Sequence, residues 1–160
     1  MRKDYISWDQ YFMGVAKLSA LRSKDPSTQV GACIINEDKR IVGIGYNGLP
    51  QGCDDRLFPW SNEGEYTETK YPYVVHAEAN AILNATNNLK GASIYVTLFP
   101  CNECTKLIIQ SGIKEIVYQS NKYQHTKEHQ AAIKMLNAAH VTYRQIEVGE
   151  LEYVNISKDI

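Results

Sequence analysis

The 160-residue sequence has no run of apolar residues long enough to span a bilayer, which excludes a membrane-spanning helix. Its first twelve residues, MRKDYISWDQYF, lack the apolar core of a secretory signal. A cytoplasmic location is the resulting expectation, with no membrane partner. There is no excess of positive charge: 17 Lys and Arg stand against 18 Asp and Glu, a net charge of −1. A dedicated nucleic-acid binder is usually basic, so no nucleic-acid partner is expected. Cysteine is scarce, at four residues: Cys33, Cys53, Cys101 and Cys104. Low-complexity tracts, internal repeats and Pro/Gly/Ser-rich linkers are also missing. One domain over 1–160 is therefore expected, and a 44% apolar content is enough to build its core.

Two short runs stand out against this ordinary background. One is His76-Ala77-Glu78; the other is Pro100-Cys101-Asn102-Glu103-Cys104. One imidazole and two thiolates supply three corners of a zinc tetrahedron and leave the fourth open for water. Glu78, two residues past His76, is close enough to handle that water's protons without being a ligand. In a reducing compartment a C-x-x-C pair serves metal binding or redox chemistry more often than a structural disulfide. Two other uses of these residues stand beside the catalytic one. Cys101 and Cys104 could form a redox pair. They could also belong to a closed structural zinc site with a fourth ligand from Cys33, Cys53, His125, His129 or His140. Such a site has no use for the adjacent Glu78.

Periodicity places these runs in a fold. Ser7 or Asp4 caps a first helix reaching about Ser23, with Trp8, Phe12, Val15, Ala16 and Leu18 at near-helical spacing. Residues 29–36, QVGACIIN, read as a buried strand containing Cys33. A turn at 37–39 leads into a second strand, 40–46. A long loop then runs to about Lys70; its aromatic and charged residues suggest packing over something, and Cys53 within it has no evident role. A helix is expected over 75–87, with His76 and Glu78 in its first turn. A strand follows at 92–98, then a helix opened by Pro100 and stopped by Gly112, with Cys101 and Cys104 on one face. A strand at 114–118, a helix at 126–138 and a strand at 141–146 complete the chain. Strand–helix alternation favours an α/β architecture with parallel late strands.

Paired H-x-E and P-C-x-x-C runs mark zinc nucleobase deaminases. The chain resembles the cytidine deaminase superfamily, and more narrowly the deoxycytidylate (dCMP) deaminases. SKDPSTQVGACI, IVGIGYNGLPQGC, TKYPYVVHAEANAI and YVTLFPCNECTKLIIQSGIKEIVY carry the resemblance, over about Leu21 to Tyr143. The resemblance implies a three-layer α/β/α cytidine deaminase-like fold with a five-stranded mixed sheet. It implies hydrolysis of dCMP to dUMP and ammonia for thymidylate synthesis. It also implies one catalytic Zn2+ per subunit at His76, Cys101 and Cys104, with Glu78 as proton carrier. Asn47, the backbone near Ala77 and Tyr123 are the expected substrate contacts. Lys24, Arg22 and Lys122 are phosphate candidates on charge alone. A homo-hexamer activated by dCTP with Mg2+ and inhibited by dTTP is further implied, with Gly45, Tyr46, Asn47 and Gly48 at the regulatory site. Val74 is apolar where relatives with a second, structural zinc have a carboxylate, so a single zinc is expected. Two alternatives remain: a deaminase of another base, such as tRNA adenosine or guanine, and a non-catalytic zinc-binding module.

Overall fold

A computed structural model describes residues 1–150. Its sheet has five strands: β1 (Gly31–Ile35), β2 (Ile41–Tyr46), β3 (Ser93–Leu98), β4 (Glu115–Ser120) and β5 (Thr142–Gln145). They lie in the order β2-β1-β3-β4-β5. β1 runs antiparallel to β2 and to β3, whereas β3, β4 and β5 are mutually parallel. The mixed sheet and the parallel late strands are as expected. Hairpin turns can join only antiparallel strands, so the parallel half needs its helical crossovers.

Four helices cover the sheet: α1 (Trp8–Ala20), α2 (Ala77–Leu83), α3 (Asn102–Gln110) and α4 (Lys127–Ala138). One face carries α1 alone. Phe12, Met13 and Ala16 of α1 pack there on Cys33, Ile35, Tyr95 and Val117. The other face carries α2, α3 and α4, whose Ala81, Ile108 and Leu136 meet Ile34, Ile94 and Ile116. Alternate residues of β3 and β4 thus point to opposite faces, as a pleated strand requires. The result is three layers.

Several expected boundaries move. α1 is capped by Ser7, not Asp4: Ser7 accepts from the Gln10 amide while the Gln10 side chain accepts from the Ser7 amide. It ends at Ala20, three residues short of Ser23. α2 stops at Leu83 rather than Asn87. Beyond it the backbone turns to the outer edge of β2, where the Thr86 amide donates to the Val42 carbonyl at 3.1 Å. Asn80 and Asn84 donate their side-chain amides to the Tyr46 and Ile44 carbonyls at 2.8 and 3.2 Å. These bonds satisfy an exposed strand edge, so α2 gives up its last turn for them. Pro100 lies outside α3, one residue before its cap.

Close approach between layers depends on glycine at two places. A Cβ on Gly31 would lie 1.8 Å from the Ala16 carbonyl oxygen of α1. A Cβ on Gly45 would lie 2.3 Å from the Ala77 carbonyl oxygen of α2. Both contacts are with backbone, which cannot swing aside.

Candidate metal centre and the cavity above it

His76 and Cys101 occupy equivalent places, each the cap of the helix that follows it. His76 has extended backbone (φ −72°, ψ 157°) and precedes α2; Cys101 (φ −69°, ψ 171°) precedes α3. His76 is therefore not inside the first turn, as periodicity suggests, but immediately before it. Cys104 lies in the first turn of α3, three residues after Cys101. The Cys104 amide donates to Cys101 Sγ at 3.5 Å, so the helix start supports a thiolate there.

His76 Nδ1 lies 3.5 Å from Cys101 Sγ and 3.4 Å from Cys104 Sγ, and all three atoms are within 4.8 Å of one another. A tetrahedral zinc with ordinary Zn–N and Zn–S bonds needs an N···S separation of about 3.5 Å. The donor set fits zinc in both identity and spacing. Among the described residues this is the cluster of three His, Cys, Asp or Glu groups able to hold a metal. The fourth ligand of a closed structural site is not supplied here. Cys33 is buried in the core on the α1 side, its thiol pushed up to about 12 by burial.

The titration properties of the cluster follow from its contacts. Hydrogen bonding from Cys104, then from His76, draws the Cys101 thiol down to about 4 despite its burial. Its partner thiol at Cys104 is pushed upward, first by the same bond and then by burial. The Cys101 thiolate raises His76 to about 9. Glu78 is 4% exposed, and burial raises its carboxyl above the ordinary carboxylate range.

Above the cluster opens a cavity of about 410 Å³, lined by His76, Ala77, Glu78 and Cys101 at one end. This volume is in the range of small-molecule sites. Asn47 and Tyr123 line it as expected, Asn47 buried and Tyr123 half exposed. Lys24 does not. The loop after α1 carries it to a second cavity of about 220 Å³, where it pairs with Asp55. Arg22 lines that second cavity as well, together with Tyr46, Asn47, Gly48 and Cys53. Gly45 is absent from both linings and lies beneath α2. Lys122 donates to Thr28 Oγ1 at 3.2 Å, at the wall of the larger cavity.

Composition and spacing do not single out several lining residues. Asp25 and Lys70 form a buried pair, with Lys70 Nζ 2.8 and 2.6 Å from the two carboxylate oxygens. Ser27, Thr28, Phe99, Asn121 and His129 complete much of the wall. The available signal is positional: Asp25 and Lys70 lie inside SKDPST and TKYPY, within the segments that carry the resemblance.

Residues 6–120 match the model of the cytidine and deoxycytidylate deaminase zinc-binding region. A deoxycytidylate deaminase of Mus musculus is 58% identical over 146 residues, covering 90% of this chain and 82% of the mouse protein. A probable deoxycytidylate deaminase of Drosophila melanogaster is 54% identical, covering 90% of this chain and 74% of its own length. The crystal structure of dCMP deaminase from cyanophage S-TIM5, in complex with dCMP and dUMP, superposes with a TM-score of 0.70. It is 28% identical, over 89% of this chain and 100% of that one.

Proposed function

The chain belongs to the cytidine and deoxycytidylate deaminase family, and we propose that this enzyme hydrolyses dCMP to dUMP and ammonia. The observation that carries the reading is one arrangement: His76, Cys101 and Cys104 at zinc spacing, with buried Glu78 beside them on the floor of a nucleotide-sized cavity. We assign one zinc per subunit to those three residues. When bound, zinc lowers the pKa of a coordinated water from 15.7 to about 7.

The chain's own residues supply the rest. Water adds to C4 of the cytosine ring, giving a tetrahedral carbon that bears both oxygen and the amine. Glu78 takes a proton from the water and passes one to ring N3. A second transfer, to the amine, lets ammonia leave and restores the carbonyl of dUMP. Each proton comes from the attacking water, so the balance closes without another reactant. The burial that raises the Glu78 carboxyl suits it to both taking and giving a proton. Ala77 is the expected contact for the base carbonyl and Asn47 for the sugar. The Asn47 side chain is itself fixed, accepting from the Val30 amide at 2.8 Å and donating to the Thr28 carbonyl at 2.9 Å. Lys122 and Tyr123, beside each other at the mouth, are assigned to the phosphate end. The Lys122 ammonium lies 5.0 Å from the Tyr123 ring centre.

Regulation by dCTP with Mg2+ as activator and dTTP as inhibitor fits the second cavity. Arg22 brings positive charge to it, Lys24 stands there paired with Asp55, and Tyr46, Asn47 and Gly48 supply a turn. Asn47 lines both cavities, and Gly48 pairs with Val75 through bonds of 3.0 and 2.8 Å, one residue before His76. A ligand on that turn therefore lies one short link from the metal ligands. Gly45 belongs to the seating of α2 in this reading. A hexamer, one catalytic unit over 1–160, and supply of dUMP to thymidylate synthesis in the cytoplasm complete the proposal. Thiolate metal ligands suit a reducing compartment.

Ammonia release from zinc-loaded enzyme, compared across dCMP, cytidine, guanine and adenosine, tests the substrate. dCMP should be turned over fastest; equal or faster turnover of free cytidine overturns the assignment. Glu78→Gln should retain zinc and lose about 10²–10⁴ in kcat. A dCMP saturation curve unmoved by dCTP·Mg2+ or dTTP would refute the regulatory part alone.

A further inference from the structure

One wall of the large cavity is held by an ion pair that is not among the candidate metal ligands. The Asp25 and Lys70 side chains are 2% and 10% exposed, whereas every other ion pair among the described residues has a partner at least 43% exposed. Two opposite charges withdrawn this far from water require good geometry and further hydrogen bonds to persist. Asp25 has them. Its Oδ1 accepts from the Ser27 amide at 2.8 Å and the Thr28 amide at 3.2 Å, in addition to Lys70. Its Oδ2 accepts from Lys70 at 2.6 Å, with the Asn47 amide 3.4 Å away.

Three segments distant in sequence therefore meet on one carboxylate: the 25–28 turn, the exit of β2 at Asn47, and the end of the long loop at Lys70. Lys70 is anchored in turn. Its amide donates to the Ser61 carbonyl at 2.9 Å, and its carbonyl accepts from the Tyr73 and Val74 amides, each at 3.0 Å. Asp25, Thr28, Asn47 and Lys70 all line the cavity. The pair's own hydrogen bonds run to this wall and not to Glu78, Cys101 or Cys104.

We propose that Lys70 is a positioning residue for dCMP: through Asp25 it fixes Thr28 and Asn47 as a preformed wall against the bound nucleotide. Lys70 acts on substrate capture, not on the proton transfers. The inference rests on the large cavity being where dCMP binds. Removing Lys70 frees the wall to adopt other arrangements, and binding must then reorder it. The cost falls on KM.

The test uses zinc-loaded enzyme with dCMP as the probe. Lys70→Met should raise KM at least about ten-fold with kcat held within about three-fold and zinc content unchanged. Lys70→Arg, which keeps the charge and the pairing, should restore KM to within about three-fold. Lys70→Met leaves a buried carboxylate alone and is expected to lose stability too. The double variant Asp25→Asn/Lys70→Met separates the two effects. The side-chain oxygen that Asp25→Asn retains still accepts from the Ser27 and Thr28 amides, so the melting temperature should recover, while the end of the long loop at residue 70 stays untied from the rest of the wall and KM stays high. A folded, zinc-loaded double variant with wild-type KM overturns the inference. Should either variant fail to fold, Lys70→Gln, one bond shorter and uncharged, loosens the same tie to Asp25 and should raise KM at least about three-fold; a wild-type KM there overturns the inference equally. Absence of dCMP turnover by the unmodified enzyme would instead defeat the substrate assignment.

Discussion

The two faces of the sheet divide the work between them. On one, α2 and α3 bring their N-terminal ends together, and the metal ligands and Glu78 stand at those ends. On the other, α1 lies across β1, β2 and β3 and supplies packing and one carboxylate, Asp9: Phe12 stacks on Trp8 at 5.3 Å and meets Tyr95 at the same distance. That face is closed by charge rather than chemistry. Arg144 of β5 binds both oxygens of Asp9 at 2.8 Å and Glu115 at 3.0 Å, while the Tyr95 hydroxyl donates to Asp9 at 2.6 Å. Similar layers thus serve different ends because their helices approach differently. A helix that presents its N-terminus to a cavity delivers ligands and amides to it; one that presents its side delivers only a packing surface.

The contrast predicts graded effects. The largest is on the site face: Cys104→Ser should abolish zinc retention, measured by metal analysis after dialysis, and with it all deamination. Next is Gly45→Ala. Its Cβ meets the Ala77 carbonyl oxygen at 2.3 Å and must push α2 off the sheet, moving Glu78 with it. A loss of about 1–3 kcal/mol in stability should be accompanied by a drop in kcat, whereas Phe12→Leu on the α1 face should cost about 1 kcal/mol and leave kcat and KM alone. Urea midpoints read beside steady-state kinetics check both. If Gly45→Ala loses stability without activity, or Phe12→Leu loses activity, the division between faces fails.

Smallest is the charge clamp. The Arg144 guanidinium holds the Asp9 carboxyl down at about 2, well below its ordinary 3.8. A depressed carboxylate contributes stability above its unfolded value and loses that contribution as pH falls through its folded one. Asp9→Asn should therefore lower the urea midpoint most at about pH 5 and above, and the gap from wild type should close as the pH approaches about 2. Because Asp9 and Arg144 are both partly exposed, the full gap should be no more than about 1 kcal/mol. A gap that widens in acid would show that Arg144 is not the cause.

Much of this layout is legible in the sequence. The five strands and four helices are present there as patterns, because alternation and near-helical spacing record which side of each element faces the core. His76, Cys101, Cys104 and Glu78 are legible because their chemistry depends on spacing within a few residues. Cap positions are less so: whether His76 precedes α2 or enters its first turn is a difference of one residue that periodicity does not resolve. The early end of α2 is hidden for another reason. It is decided by carbonyls of β2 that lie 34 and 40 residues away along the chain from the asparagines that bond them.

A candidate metal site with a carboxylate beside it is already visible in the sequence, since those four side chains lie in two short runs and each run opens a helix. What surrounds that site came from tertiary packing. It joined Asp25 to Lys70 across 45 residues, carried Lys24 to a second cavity beside Asp55, and set Gly45 beneath α2. The physical reason is the range of the interactions. Ligation at a helix start is local and survives in a motif, whereas a buried ion pair or a glycine contact between layers exists only once distant backbone segments have been packed together.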